Sequence, residues 1–267
     1  MGRIKETFER LQVQKEKGLI PFLTAGDPDL ATSERLIHSL VENGADLIEL
    51  GVPFSDPMAD GPTIQEASQR ALAAGTTLAG ILDMVERVRL HTNVPIILMG
   101  YFNPIFHFGI EEFAARAATA GVDGLLIVDL PFEETAELRV PLRRFGIDLI
   151  ALVAPTSSGQ RMLRLAEAGE GFLYYVSMTG VTGSRQIDPR AIEQKVKELK
   201  KVSPVPVAVG FGISSPADAA AVGRFADAVV VGSALVKMVA ACGREEDPAA
   251  RVGPFVRSLK DALRTPA

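Results

Sequence analysis

The chain has 267 residues, 47% hydrophobic and 23% charged, which is enough apolar surface for a full core and excludes a disordered chain. A formal net charge of -5 argues against a nucleic-acid footprint, which needs clustered Lys and Arg, so any phosphate bound here is a small one. The single cysteine, Cys242, has no partner for an intrachain disulfide; it reads as a helix-packing thiol in a reducing, cytoplasmic setting.

At the N-terminus, Ile4, Phe8 and Leu11 form one stripe of an amphipathic helix among Arg3, Lys5, Glu6, Glu9 and Arg10, which is not the pattern of a signal peptide. Eight short apolar runs follow, near Leu19–Thr24, Leu47–Leu50, Pro95–Met99, Gly124–Val128, Leu149–Val153, Phe172–Val176, Pro206–Val209 and Ala228–Val231. Runs of this kind, separated by helical patterns, predict strands covered on both faces by crossover helices. None approaches the roughly 20 residues that span a bilayer. The widest interval, between the second and third runs, holds two helical patterns, Thr63–Ala73 and Leu78–Leu90, parted by Gly75.

A short motif recurs. Gly44-Ala45-Asp46, Gly121-Val122-Asp123 and Gly146-Ile147-Asp148 each end a helical segment and open an apolar run, with the glycine suited to a left-handed helix cap. Phe225-Ala226-Asp227 keeps the aspartate without the glycine. Eight such units, in a length close to the roughly 250 residues that one barrel occupies, predict a single (β/α)8 TIM barrel domain over 1–267 with an extra N-terminal helix. In that architecture the chemistry lies just beyond the C-terminal ends of the strands.

Glu49 is the outlier there, a carboxylate inside an apolar strand. Facing inward, it would have a raised pKa suited to proton transfer; the alternative is a structural glutamate paired with a base or snorkelling outward. Asp60 ends the following loop before Gly61-Pro62 opens a helix, so it is either a second acid of the site or a helix-terminus charge. Asp56, in the proline-stiffened Pro53-Phe54-Ser55-Asp56-Pro57, reads as a turn residue, and Phe54 as a turn residue or a partner contact. Thr179 to Ser184, Gly210-Phe211-Gly212 and Gly232-Ser233 put glycines after the last three strands, where exposed amides attract a phosphate. Arg185 is left unassigned. The three histidines, His38, His91 and His107, lack ligand spacing, so no metal is expected, and no dinucleotide fingerprint or strand-end Schiff-base lysine points to a cofactor in this chain.

The stretch from Leu47-Ile48-Glu49-Leu50-Gly51-Val52-Pro53 through Phe54-Ser55-Asp56-Pro57-Met58-Ala59-Asp60-Gly61-Pro62 resembles the signature of the tryptophan synthase alpha-subunit family. Pro21 to Pro28, Tyr101-Phe102-Asn103-Pro104, Val128-Asp129-Leu130-Pro131 and Gly180-Val181-Thr182-Gly183 extend the resemblance nearly end to end. It implies retro-aldol cleavage of indole-3-glycerol phosphate to indole and glyceraldehyde 3-phosphate, with Glu49 and Asp60 catalytic. It implies an indole pocket of Phe22, Tyr101, Leu126, Tyr174, Thr182 and Phe211, and a phosphate site of Gly183, Gly212, Gly232 and Ser233. It implies a beta subunit as partner, carrying pyridoxal phosphate, docked on Pro53, Phe54, Asp56, Asn103, Phe106, Pro131 and Glu134. Some members read Ser-Arg-x-Gly where this chain has Ser177-Met178-Thr179-Gly180, one loop charge fewer. Three rivals are a stand-alone lyase, another sugar-phosphate barrel and a non-catalytic regulatory barrel.

Overall fold

A parallel strand must return to the same end of its sheet through a crossover, and this chain makes that return with helices throughout. The structure, a computed structural model, describes residues 2–155, 157, 159–176, 189–210, 212–243 and 246–264. In chain order the elements are α1 (Arg3–Gln14), β1 (Gly18–Thr24), α2 (Leu30–Glu42), β2 (Ile48–Gly51), α3 (Pro62–Ala73), α4 (Leu78–Arg89), β3 (Ile96–Gly100), α5 (Phe102–Phe108), α6 (Ile110–Ala120) and β4 (Gly124–Ile127). A 3-10 turn, Phe132–Glu134, leads to α7 (Ala136–Arg144), β5 (Asp148–Leu149), β6 (Ala151–Val153), α8 (Gly159–Glu167), β7 (Leu173–Val176), α9 (Pro189–Val202), β8 (Val207–Gly210), α10 (Pro216–Gly223), β9 (Ala228–Val231), α11 (Ser233–Ala240) and α12 (Pro248–Arg264). Both helices expected between the second and third strands are present as α3 and α4.

All the pairings are parallel, in the order β5-β4-β3-β2-β1-β9-β8-β7-β6. The two ends of that row, β5 and β6, are halves of the fifth expected strand, joined by the single residue Ile150, so the chain itself closes the barrel there. The fifth strand is thus interrupted where one continuous strand was expected. Its lower half pairs with β4 through Asp148 and Leu149, with Ile150 N–H donating to the Leu125 carbonyl at 2.8 Å; its upper half pairs with β7 alone. Beyond Ile127 the chain turns away toward Pro131, which has no N–H with which to extend a ladder.

Side chains alternate faces along each strand and so divide the core into two layers. Leu19, Leu23, Ile48, Leu50, Ile96 and Leu98 pack outward against the helices. Ile20, Leu47, Ile97, Leu126, Phe172 and Ala208 fill the barrel, together with Ile4, Phe8 and Leu11 of α1. The amphipathic N-terminal helix is therefore a plug for the bottom of the barrel. Gly124 makes room for it: a Cβ there would lie 3.1 Å from Ile4 Cδ1.

Three of the four recurrent aspartates share a task at the same end. Asp46, Asp123 and Asp227 each accept the first free N–H of the neighbouring strand, from Leu19 at 2.9 Å, Ile96 at 2.9 Å and Val207 at 3.0 Å. Each also meets cations from the helices: Lys260 and Arg10 at Asp46, Arg3 and Arg89 at Asp123, Lys200 at Asp227. The motif glycines, Gly44 ahead of Asp46, Gly121 ahead of Asp123 and Gly146 ahead of Asp148, all have positive φ, as helix caps require. Among the described residues, no helix is long and apolar enough to cross a membrane.

Candidate active site

Ile48 and Leu50 face the helices, so Glu49 between them faces the barrel interior. It is 1% exposed, and among the described residues neither carboxyl oxygen has a hydrogen-bond partner. Burial without compensation raises its pKa to about 8, so the group is mostly protonated at neutral pH. Phe22 of β1 and Ile97 of β3 stand in register beside it. Tyr174 is buried; that burial, and secondarily the nearby Glu49 charge, pushes its phenol pKa upward. Among the described residues no cation pairs with Glu49.

Asp60 reaches the same mouth from the loop after β2, immediately before Gly61 caps α3 with Pro62 in its first turn. Tyr101 Oη donates to Asp60 Oδ2 at 3.1 Å and accepts from Ala59 N–H at 2.9 Å. Burial raises the Asp60 pKa, and the Tyr101 hydrogen bond partly opposes it. The ring of Phe54 lies 5.0 Å from that of Tyr101, so the loop anchors its own tyrosine partner. Two carboxyl groups in different environments, one without a hydrogen-bond partner among the described residues and one hydrogen-bonded, can take different proton roles.

A cleft at the mouth is walled by Phe22, Gly51, Asp60, Ile64, Met99 and Tyr101, with Thr24 and Val128 at its edge. Gly51 has to be small, since a Cβ there would lie 2.5 Å from Cζ of Phe22. Leu126, 0% exposed, sits in the inner layer opposite Met99. Phe22, Asp60 and Tyr101 thus meet in one cleft, with Glu49, Leu126 and Tyr174 in the barrel interior. Sequence reasoning missed Thr24, Ile64, Met99 and Val128. Strand parity offered a signal: Thr24 follows Ile20 and Phe22 at alternate positions, and Met99 follows Ile97. The Thr24 hydroxyl is buried and unpartnered among the described residues.

Among the residues expected to hold a phosphate, Gly232 precedes α11 with no side-chain cap, and Ser233 is the first helical residue. Pro21 and Val231 pair between β1 and β9, which sets Gly232 against the Phe22 ring. Gly212, with φ 76°, lies just after β8. Thr182, Gly183, Arg185 and Phe211 lie outside the described residues. Around the rim, Asp56, Asn103, Phe106, Pro131 and Glu134 are exposed, Phe54 is half-buried and Pro53 is buried. Among the described residues, no three His, Cys, Asp or Glu side chains gather as metal ligands.

The family model described as tryptophan synthase alpha chain matches residues 8–264. The tryptophan synthase alpha chain of Geobacter sulfurreducens is 54% identical over 98% of this chain and 99% of its own length, and that of Burkholderia pseudomallei is 50% identical over 98% and 97%. Among solved structures, tryptophan synthase subunit alpha of Legionella pneumophila superposes with a TM-score of 0.91 at 40% identity, covering 98% of both chains. A chain of Mycobacterium tuberculosis tryptophan synthase in its aminoacrylate-bound form gives 0.88 at 33% identity, over 98% of this chain and all of that one. With its barrel and full-length relatives in agreement, the chain belongs to the tryptophan synthase alpha chain family, the lyases that cleave indole-3-glycerol phosphate in tryptophan biosynthesis.

Proposed function

We propose that Glu49 and Asp60 divide the proton work of that cleavage. Glu49 begins the cycle protonated and gives its proton to the indole ring carbon that bears the glycerol chain. The ring becomes cationic, and Asp60 accepts a hydrogen bond from its N–H and offsets the charge. The Glu49 carboxylate, disfavoured by burial, then takes the proton of the adjacent hydroxyl. The bond between the ring carbon and the hydroxyl-bearing carbon breaks, its electron pair returns to the ring, and the aldehyde forms. Indole and glyceraldehyde 3-phosphate depart with Glu49 protonated again.

In this reading Phe22, Tyr101, Leu126 and Tyr174 shape the indole pocket, completed by Thr182 and Phe211. Gly183, Gly212, Gly232 and Ser233 hold the phosphate through backbone amides, which suit an anion at the uncapped start of α11. The residues of 1–267 act as one domain, in the cytoplasm and without a cofactor of their own. The rim formed by Pro53, Phe54, Asp56, Asn103, Phe106, Pro131 and Glu134 receives a tryptophan synthase beta subunit carrying pyridoxal phosphate, in an alpha2beta2 complex. Phe106, 63% exposed, and Met58, 83% exposed, give that rim an apolar character that a partner would cover.

The observation that carries the assignment is the buried Glu49 carboxyl, which has no hydrogen-bond partner among the described residues. The test is indole release from indole-3-glycerol phosphate by the purified chain, with and without a beta subunit. Glu49→Gln keeps the shape of the site but cannot cycle a proton, and its turnover should fall by about a thousandfold. Turnover retained in this variant would defeat the assignment.

A further inference from the structure

The interrupted fifth strand leaves a second feature in the barrel wall. Between the end of β4 and the unpaired side of β6 lies a cavity of about 490 Å³, walled by Leu149, Ala151, Leu165, Thr135, Arg139 and Arg161. Arg139 is the unusual member. Its side chain is 15% exposed, and its guanidinium carbon sits 4.6 Å from the centre of the Phe132 ring. Its Nε lies 3.6 Å from Glu170 Oε1, an ion-pair distance beyond hydrogen-bond reach, and among the described residues it is buried without a hydrogen-bond partner. Glu170 is committed elsewhere, to Arg143 at 2.6 Å and Leu149 N–H at 3.0 Å.

An arginine stays charged in a protein, so an under-used guanidinium facing a cavity keeps its demand for an acceptor. Burial depresses the Arg139 pKa, Glu170 opposes that and Arg143 adds to it, a balance in which another anion would relieve strain on the charge. The other charges on the wall are engaged: Arg161 pairs with Glu133 at 3.3 Å, and Asp129 accepts from Phe102 N–H at 2.8 Å. The walls are mixed, and Leu149, Ala151 and Leu165 give them an apolar side against which a hydrocarbon body can lie. One guanidinium already partly offset by Glu170 suits a single negative charge better than a phosphate dianion.

We propose that this cavity binds a small organic monocarboxylate, its carboxylate on Arg139 and its apolar body against Leu149 and Leu165. The site lies beneath Phe132, beside the proposed docking residues Pro131 and Glu134, and adjoins the cleavage cleft at Val128, which lines both.

Benzoate is the probe, titrated into the purified chain and followed by amide NMR shifts, with circular dichroism to check that each variant is folded. Saturable shifts at Thr135, Arg139 and Leu165 are expected. Arg139→Gln should weaken binding about tenfold or more, the value of a charge-assisted hydrogen bond, and benzyl alcohol should bind the unaltered chain correspondingly weakly. Ala151→Leu fills the cavity and leaves Arg139 in place; it should also weaken benzoate, and it decides the matter if Arg139→Gln does not fold. The proposal is overturned if no benzoate binds, if the shifts fall on Phe22 and Tyr101 instead, if benzyl alcohol binds as well as benzoate, if the folded variants keep full affinity, or if inorganic phosphate binds at Arg139 in preference to benzoate.

Discussion

A carboxyl group held out of water gives up its proton late, and in the proposed mechanism this would set, at Glu49, the pH range in which the chain works. Because its pKa is raised to about 8, the acid form required for the first step dominates below that pH and is lost above it. kcat/KM for indole-3-glycerol phosphate should therefore fall on the alkaline side with a midpoint near 8; a flat profile through pH 9 would show that Glu49 does not act as the acid. In the same proposal the acid limb is that of Asp60, whose pKa lies above the ordinary aspartate value because burial outweighs the Tyr101 hydrogen bond. Tyr101→Phe removes that bond, so protonation of Asp60 becomes easier and the acid limb should move to higher pH. Turnover at neutral pH should drop about tenfold, the worth of one hydrogen bond to a charged group. An unmoved acid limb in this variant would place the titration elsewhere.

Among the elements, the strand-opening aspartates show what a sequence discloses and what it withholds. Gly44, Gly121 and Gly146 were legible as helix caps because a left-handed turn excludes most other residues, and their positive φ values agree. Why an aspartate follows was not legible, since its acceptor role depends on the neighbouring strand, 27 residues away for Asp46 and Leu19. Glu49 stood out because a charge within an apolar run has few explanations; Thr24 and Met99 did not, because they resemble ordinary barrel filling. The split of the fifth strand was likewise hidden, as Leu149–Val153 has the same apolar pattern whether or not β4 pairs along all of it. The Asp46 group carries a prediction of its own. Lys260, 2% exposed, bridges Asp46 at 2.8 Å, Glu16 at 3.0 Å and the Lys17 carbonyl at 3.1 Å, tying α12 to the loops under the barrel. Lys260→Met leaves a buried carboxylate short of its cation and should cost about 3 kcal/mol in chemical denaturation. A loss within experimental error would mean that Arg10 compensates alone.

For the molecule as a whole, the register pairs show a cylinder fastened unevenly. β1 and β9 meet through four register pairs, β4 and β5 through two, and β4 and β6 through none. Amide exchange should report this: residues 124–127 and 148–153 should open by local fluctuations well below the energy of complete unfolding, while 18–21 and 228–231 should exchange only when the whole chain unfolds. Equal protection on both sides would show that helix packing evens out the difference. A severed backbone at Ile150 has a further result. Elsewhere a nick would spare the ring, because hydrogen bonds bridge adjacent staves; here the covalent link is itself the clasp. Cutting it would convert a tube into a curved ribbon with two raw borders, each able to recruit the border of another molecule.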